Sequence, residues 1–306
     1  MTLHTFLFPL ALFLFSSLTW AWEAKPEQVA DGVYVFIGEI GPRTADNEGM
    51  NANTGFIVTK AGVVVVDSGS SRAVAAKIHA AIRAVTKQPV VLVINTGGQD
   101  HRWLGNGYFI DQGIAVLAHE KTVADNQERG GQLLDGLGKT LGERFAGTRA
   151  APATQTFSQR KILAIGGQTI ELIYAGGGHT PGDSIVWLPQ QRLAFSGDLV
   201  YVDRLLGVLP VSNTRHWLAS FAALEGLAPH RIVPGHGRPA TLTKAESQTR
   251  DYLAALRSHM KKAVDAGDDL QAAITSFDDK AWSGLAVYPE LRGPNANRAY
   301  LELEAE

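Results

Sequence analysis

A layered α/β fold is what this sequence predicts, because two strand–helix–strand series follow one another along 306 residues of which 45% are hydrophobic. A chain of that length and composition can bury one large core, and single α/β domains of this size are common. Fixed-period repeats, heptads and low-complexity stretches are absent from the sequence, which excludes solenoid, coiled-coil and disordered readings. The formal net charge is −2, so there is no basic excess to hold phosphates and nucleic acid is not expected as a partner.

Taken in order, residues 1–21 read as a signal peptide. Met1 to Trp22 carries no Asp, Glu, Lys or Arg, the run Phe6–Phe15 is apolar, and Thr19-Trp20-Ala21 places small residues where a signal peptidase reads. The apolar run falls short of the roughly 20 residues that span a bilayer, so export to the periplasm or medium is expected, with no stable membrane span after cleavage. The n-region departs from the usual pattern in holding only His4 besides the terminal amine. Cysteine is absent, which excludes disulfides, thiolate metal ligands and lipid attachment to a cysteine.

Gly32–Gly38 reads as the first strand and Gly41–Asn53 as a polar loop. Phe56–Thr59 and Val63–Asp67, joined by Lys60-Ala61-Gly62, form a hairpin pattern. Helical spacing of Val74, Ile78, Ala81, Ile82 and Val85 predicts a helix over Ser70–Val85, followed by a buried strand at Val90–Ile94. Further strands are expected at Ile114–Ala118, Thr169–Tyr174, Ser184–Leu188, Arg192–Ser196 and Arg231–Pro234. Helices are expected from His119 to about Phe145, broken by glycines, at Trp217–Leu227, and from Thr243 to about Gly267 with Thr243 as N-cap and Glu246 three residues on. These elements define one domain over residues 30–266, with a partly helical extension, 267–306, packed on it.

Three glycine-rich turns after strands carry metal-competent side chains: Gly176-Gly177-Gly178-His179-Thr180-Pro181-Gly182-Asp183, Phe195-Ser196-Gly197-Asp198 and Val233-Pro234-Gly235-His236-Gly237. Neutral imidazoles and a carboxylate together suit Zn²⁺ at about 2.0–2.2 Å per ligand. Any one of these motifs alone is weak, since a lone loop histidine is more often a surface or capping residue. Three in this order point to a site.

The order and spacing resemble the metallo-β-lactamase superfamily over roughly Val33 to Pro239, which implies a four-layer αββα sandwich with metal ligands along one edge. The resemblance makes His179, Asp198 and His236 metal ligands, Asp67 in Val64-Val65-Val66-Asp67-Ser68-Gly69 a structural brace, and Asp183 a brace of the ligand turn. The family's HxHxDH motif is eroded here to Gly97-Gly98-Gln99-Asp100-His101-Arg102. A gapless match puts Gly97 and Gln99 at the first two histidines, His101 at the aspartate and Arg102 at the third histidine; a shifted match aligns Asp100-His101 with Asp-His. His101 is the good ligand in both. Glycine and a permanently charged guanidinium cannot bind zinc, and Gln99 offers a weak oxygen.

The resemblance therefore implies one Zn²⁺ per chain on His101, Asp198 and His236, with Asp100 as a further candidate ligand, and a weak or absent second position at His179 and Gln99. Asp100 is a candidate to orient the attacking water and Arg102 to steady a substrate anion or oxyanion. The function implied is a hydrolase using metal-bound hydroxide on an ester, thioester, lactone or amide bond of a small-molecule substrate. The alternative is a catalytically impaired binding or accessory protein in periplasmic quinoprotein or sulfur metabolism, with Arg102 merely paired to Asp183 or Asp67. A β-lactamase proper has no lactam pocket to recommend it. A finer resemblance, to exported quinoprotein relay system zinc metallohydrolases and sulfur-oxidation-associated hydrolases, rests on the leader, Leu104-Gly105-Asn106, the helical region after His119, and the tail from Tyr288 to Glu302. Elsewhere, Trp103 and Tyr108 are expected in the core. His119, His216, His230 and His259 are expected as surface or capping residues, and Asn51 and Asn53 lie in the loop facing the site.

Overall fold

The computed structural model describes residues 22–306, so the expected signal peptide lies outside the described residues. Its first sheet runs β1 (Pro26–Ala30), β2 (Val33–Phe36), β3 (Thr54–Thr59), β4 (Gly62–Val66), then α1 (Arg72–Val85) before β5 (Val90–Ile94). Two short helices, α2 (Asp100–Trp103) and α3 (Asn106–Ile110), precede β6 (Ala115–His119), α4 (Glu120–Leu141) and β7 (Gln155–Phe157). These seven strands pair in sequence order, antiparallel up to β4 and parallel from β4 to β7. The second sheet contains β8 (Arg160–Ile165), β9 (Gln168–Tyr174), β10 (Ser184–Leu188), β11 (Leu193–Tyr201) and, after α5 (Thr214–Gly226), β12 (Arg231–His236). Its order is β12-β11-β10-β9-β8, with β11 and β12 parallel. The chain closes with α6 (Leu242–Ala245), a π-helical turn, α7 (Asp251–Ala266), α8 (Leu270–Ser276) and α9 (Tyr288–Glu304).

Alternation along the strands explains the layers. In β4, Val64 and Val66 join Ile57, Leu92 and Ile94 against Val186, Leu193, Phe195 and Val233 of the other sheet, forming the middle of the sandwich. Their neighbours Val63 and Val65 face the opposite way, onto Val74, Ile78 and Ile82 of α1 and Phe109 of α3. The outer face of the second sheet is covered by Trp217 and Phe221 of α5, Leu253 and Leu256 of α7, and Ala299 and Leu303 of α9. The result is αββα, as the sequence predicts. Each fully buried side chain of this kind stabilises the fold by about 1.5–3 kcal/mol.

Several details differ from the sequence reading. β1 lies ahead of the expected first strand, and β7 and β8 were not anticipated. α4 is continuous over 22 residues despite its glycines. The cap expected at Thr243 falls instead at Thr241, whose hydroxyl accepts from the Lys244 amide at 3.3 Å. β11 continues beyond Ser196 to Tyr201, which carries Asp198 inside a strand. Trp103 is fully buried and Tyr108 packs partly buried at the edge of the α1 cluster. His119 is buried, with its ring capping α4, whereas His216 and His230 are exposed. Among the described residues no helix is long and apolar enough to cross a membrane.

Candidate metal centre

Parallel strands end together, so β4, β5, β11 and β12 deliver their C-terminal turns to one edge of the sandwich. Asp67 leaves β4 with φ 64°, a left-handed conformation held by its own contacts. Its carboxylate accepts from the Thr96 amide at 2.7 Å and the Thr96 hydroxyl at 2.8 Å, bracing the turn after β5. That turn leads into α2, which carries Asp100, His101 and Arg102, all buried.

Three side chains converge there. His101 Nε2 lies 3.2 Å from Asp198 Oδ2, and His236 Nε2 lies 3.1 Å from Asp198 Oδ1. Their ligand atoms all fall within 4.8 Å of one another, the two imidazole rings meet edge-on at 85°, and all three residues are buried. His236 Nδ1 is 2.6 Å from the Asn51 carbonyl oxygen, which fixes Nδ1 as the protonated nitrogen. In the neutral ring the Nε2 lone pair therefore faces a carboxylate oxygen. Burial pushes the His236 pKa well below its ordinary value despite the pull of Asp198. His101 is likewise driven towards its neutral form by burial, and its Nδ1 has no partner, standing 3.4 Å from Asp100 Oδ1. Two imidazoles meet on one buried carboxylate, and the His236 Nε2 lone pair faces one of its oxygens, an arrangement that suits a cation. The donor set and its fixed tautomer fit Zn²⁺ with an open position.

Arg102 holds the carboxylate in place. Nε and Nη2 donate to the two oxygens of Asp198 at 3.1 and 2.6 Å, Nη1 to Asp67 Oδ2 at 3.0 Å and the Asn53 carbonyl at 2.7 Å, and Nη2 also to the Gly235 carbonyl at 3.1 Å. All five donors are used, and the side chain is 1% exposed. This corrects the role of substrate or oxyanion contact expected for Arg102: it has no free N–H to offer. It pairs with Asp67, as the plainer reading allowed, and with Asp198 in place of Asp183. Burial disfavours the Asp198 carboxylate, but Arg102 and His101 outweigh that and hold its pKa well below the usual range. For Asp67 burial prevails over Arg102, and the pKa is pushed up to about 6.

The remaining candidates lie around this group. Asp100 pairs with Arg43 and accepts from the His101 amide at 2.8 Å, so its carboxylate is committed beside His101 and not at the cation position. Gln99 lines the same cavity, and its buried Oε1 has no partner. His179 stands outside the convergent group: its Nδ1 donates to the Gly207 carbonyl at 2.9 Å and its Nε2 faces the Tyr201 hydroxyl at 3.5 Å. A Cβ at Gly97 would meet Asp183 Oδ1 at 2.3 Å, so the brace occupies the space that a histidine there would need. The second position, at His179 and Gln99, therefore gains no ligand from residue 97, although both residues line the cavity. Asp183 accepts from the Thr180 amide at 2.6 Å and from its hydroxyl, and burial pushes its pKa up to about 8.

Asn53, in the loop facing the site, spends its side chain on the Gly38 amide and the Pro234 and Gly237 carbonyls, tying the β2–β3 loop to the His236 turn. Sequence reasoning missed Tyr201. Its ring stacks on His236 at 4.5 Å and 12°, and burial with the Asp198 charge raises its pKa well above the ordinary phenol value. His101, His179, Tyr201 and His236 share a cavity of about 280 Å³, rimmed by Arg43 and Arg204. A neighbouring cavity of about 800 Å³ shares Arg43, Gln99 and Leu209 with it.

Residues 48–236 match the family model described as the Metallo-beta-lactamase superfamily. Among curated proteins, metallo-beta-lactamase IND-1 of Chryseobacterium indologenes is 27% identical over 61% of this chain and 72% of its own length. The 2,4-dinitroanisole O-demethylase subunit alpha of Nocardioides sp. (strain JS1661) is 28% identical over 57% of this chain, which spans about half (49%) of that subunit. Among solved structures, a metallo-beta-lactamase from Pontibacter korlensis superposes with TM-score 0.62 at 23% identity, covering 75% of this chain and 98% of that one.

Proposed function

The chain belongs to the metallo-beta-lactamase superfamily, and on that premise we propose that it is an exported metal-dependent hydrolase with one Zn²⁺ per chain, held by His101, Asp198 and His236. The observation that carries this reading is the convergence of the His101 and His236 imidazoles on the buried Asp198 carboxylate, with the His236 Nε2 lone pair turned towards it. A zinc ion bound there supplies Lewis acidity and lowers the pKa of water to near neutrality. The protein's own residues do the rest. Arg102 fixes Asp198 and keeps it ionised, and the Asn51 carbonyl sets the His236 tautomer. The cavity, with Arg43 and Arg204 at its rim, suits a small substrate carrying a negative group next to the scissile ester, thioester, lactone or amide bond. Action in the periplasm or medium follows from the leader at residues 1–21, and the quinoprotein relay neighbourhood from the finer resemblance.

A second reading has its own support. Both Asp198 oxygens are already taken by Arg102, and Asp183 leaves no room for a ligand side chain at residue 97, as in a fold kept for binding after chemistry is lost. Zinc analysis of the tag-free protein, followed by turnover of p-nitrophenyl acetate, an acyl thioester, a homoserine lactone and a chromogenic β-lactam, separates the two. Turnover that needs zinc and is lost in His236→Ala supports the hydrolase; one equivalent of zinc with no turnover of any of the four supports the binding protein.

A further inference from the structure

Two cavities meet beside the cation group. The one that holds His101 and His236 measures about 280 Å³, short of the roughly 300–1,000 Å³ of a site that encloses a whole small-molecule ligand. Part of its wall is Leu291 of α9, the helix on the outer face of the second sheet. The other cavity, about 800 Å³, lies between α4 and residues 209–211, and the two share Arg43, Gln99 and Leu209. We propose that the larger cavity receives an aliphatic chain of the substrate, so that the scissile bond lies in the small cavity and the chain runs along α4. This rests on the hydrolase reading above and names the substrate class as an aliphatic, not a compact polar, carbonyl compound.

The walls carry the proposal. Leu133 and Leu137 come from α4, and Leu209, Pro210 and Val211 from the segment between β11 and α5. Both sides are held firmly. Leu137 is buried with Trp103, Leu104 and Leu141, and the Ser212 hydroxyl accepts from the Leu209 amide at 2.9 Å while donating to the His179 carbonyl at 2.8 Å. The cations of the wall are already paired: Arg129 gives Nε and Nη2 to the two Asp125 oxygens, both at 2.6 Å, and Arg43 pairs with Asp100. The neutral polar residues Gln132 and Thr140 are exposed. No unpaired charge on this wall calls for an ionic ligand, whereas an apolar chain gains by leaving water there. Gln99 stands where the cavities join, and its buried Oε1 has no partner among the described residues, which leaves an acceptor for a donor group next to the chain.

Gly136 gives access to the cavity without disturbing the fold. It lines the cavity from within α4, its φ is not positive, and a Cβ added there would meet no atom within 4 Å. A helix interior also gains from losing a glycine, so Gly136→Phe fills the cavity without backbone strain. In calorimetric titrations zinc-loaded wild type should bind hexylphosphonate about tenfold more tightly than methylphosphonate, and Gly136→Phe should bring that ratio to within about threefold. Zinc content should be equal in the two proteins and the Tm of the variant no lower than that of wild type. A wild type without preference for the hexyl compound (including one that binds neither), or a preference that survives in Gly136→Phe, overturns the proposal. Turnover of p-nitrophenyl acetate and p-nitrophenyl hexanoate by wild type separates the two readings. With no turnover but the phosphonate pattern intact, the hydrolase reading fails and the cavity stands as a site for aliphatic ligands; with turnover but no such pattern, the cavity proposal alone fails.

Discussion

Replacing Arg102 by methionine tests the most heavily bonded side chain at the site. The change keeps an unbranched apolar side chain but removes five N–H bonds and leaves Asp198 without its main counter-charge. Asp67, with a pKa already pushed to about 6, can relieve its own loss by taking a proton. Breaking one side of a buried ion pair costs about 3–5 kcal/mol. For a domain of this size that corresponds to a fall in Tm on the order of 10 °C. Differential scanning calorimetry of the zinc-free proteins measures it directly. Zinc should then raise the Tm of Arg102→Met more than that of wild type, because the cation becomes the only neutralising partner of Asp198. A drop below 2 °C without zinc would refute the clamp assigned to Arg102, as would an equal zinc shift in the two proteins.

Other substitutions probe separate parts of the account. Gly97→His should not raise zinc content to two per chain, because Asp183 fills the side-chain space, and the overlap should cost about 1–3 kcal/mol of stability in urea unfolding. Two zinc ions in that variant would show that Asp183 yields. Asp183 is a buried carboxyl whose folded pKa, about 8, lies above its unfolded value of 3.8, so its stabilising contribution is complete at low pH and is lost as pH rises through about 8. Wild type should therefore lose on the order of 2 kcal/mol more than Asp183→Asn between pH 6 and pH 9, read from urea midpoints, and parallel losses would contradict this. Asn295 of α9 donates to the Leu206 carbonyl at 2.8 Å and accepts from the Val208 amide at 2.7 Å, bracketing Gly207, whose carbonyl holds His179. Asn295→Ala should destabilise the fold by about 2–3 kcal/mol and lower the protection of the Val208 amide from hydrogen exchange, a change that a purely local α9 effect would not produce.

The layered fold and the edge that gathers the candidate ligands were legible because their causes are local. β-branched runs such as Val63–Val66 favour strands, and glycine-flanked His179, Asp198 and His236 stand out against strand ends. What escaped depends on contacts between distant residues. The glycines of α4 read as breaks because each costs helix stability, yet a Cβ on Gly130 would come within 3.0 Å of Trp103, so that position is set by packing. β8 alternates exposed and half-buried residues at a sheet edge and never gathers an apolar run. Arg102 was visible as a cation, but nothing local says that its partners are Asp67 and Asp198, the latter 96 residues away. Tyr201 was missed because the strand reading stops at Ser196, whereas β11 runs on to Tyr201 with a register slip after Gly197.

The most direct test of the central claim is the zinc content of the purified, tag-free chain after dialysis against a weak chelator, measured by inductively coupled plasma mass spectrometry. The account predicts about one zinc per wild-type chain, loss of that zinc in both His101→Ala and His236→Ala, and its retention in His179→Ala. No zinc in the wild type, or zinc that survives His236→Ala and departs with His179→Ala, would contradict it.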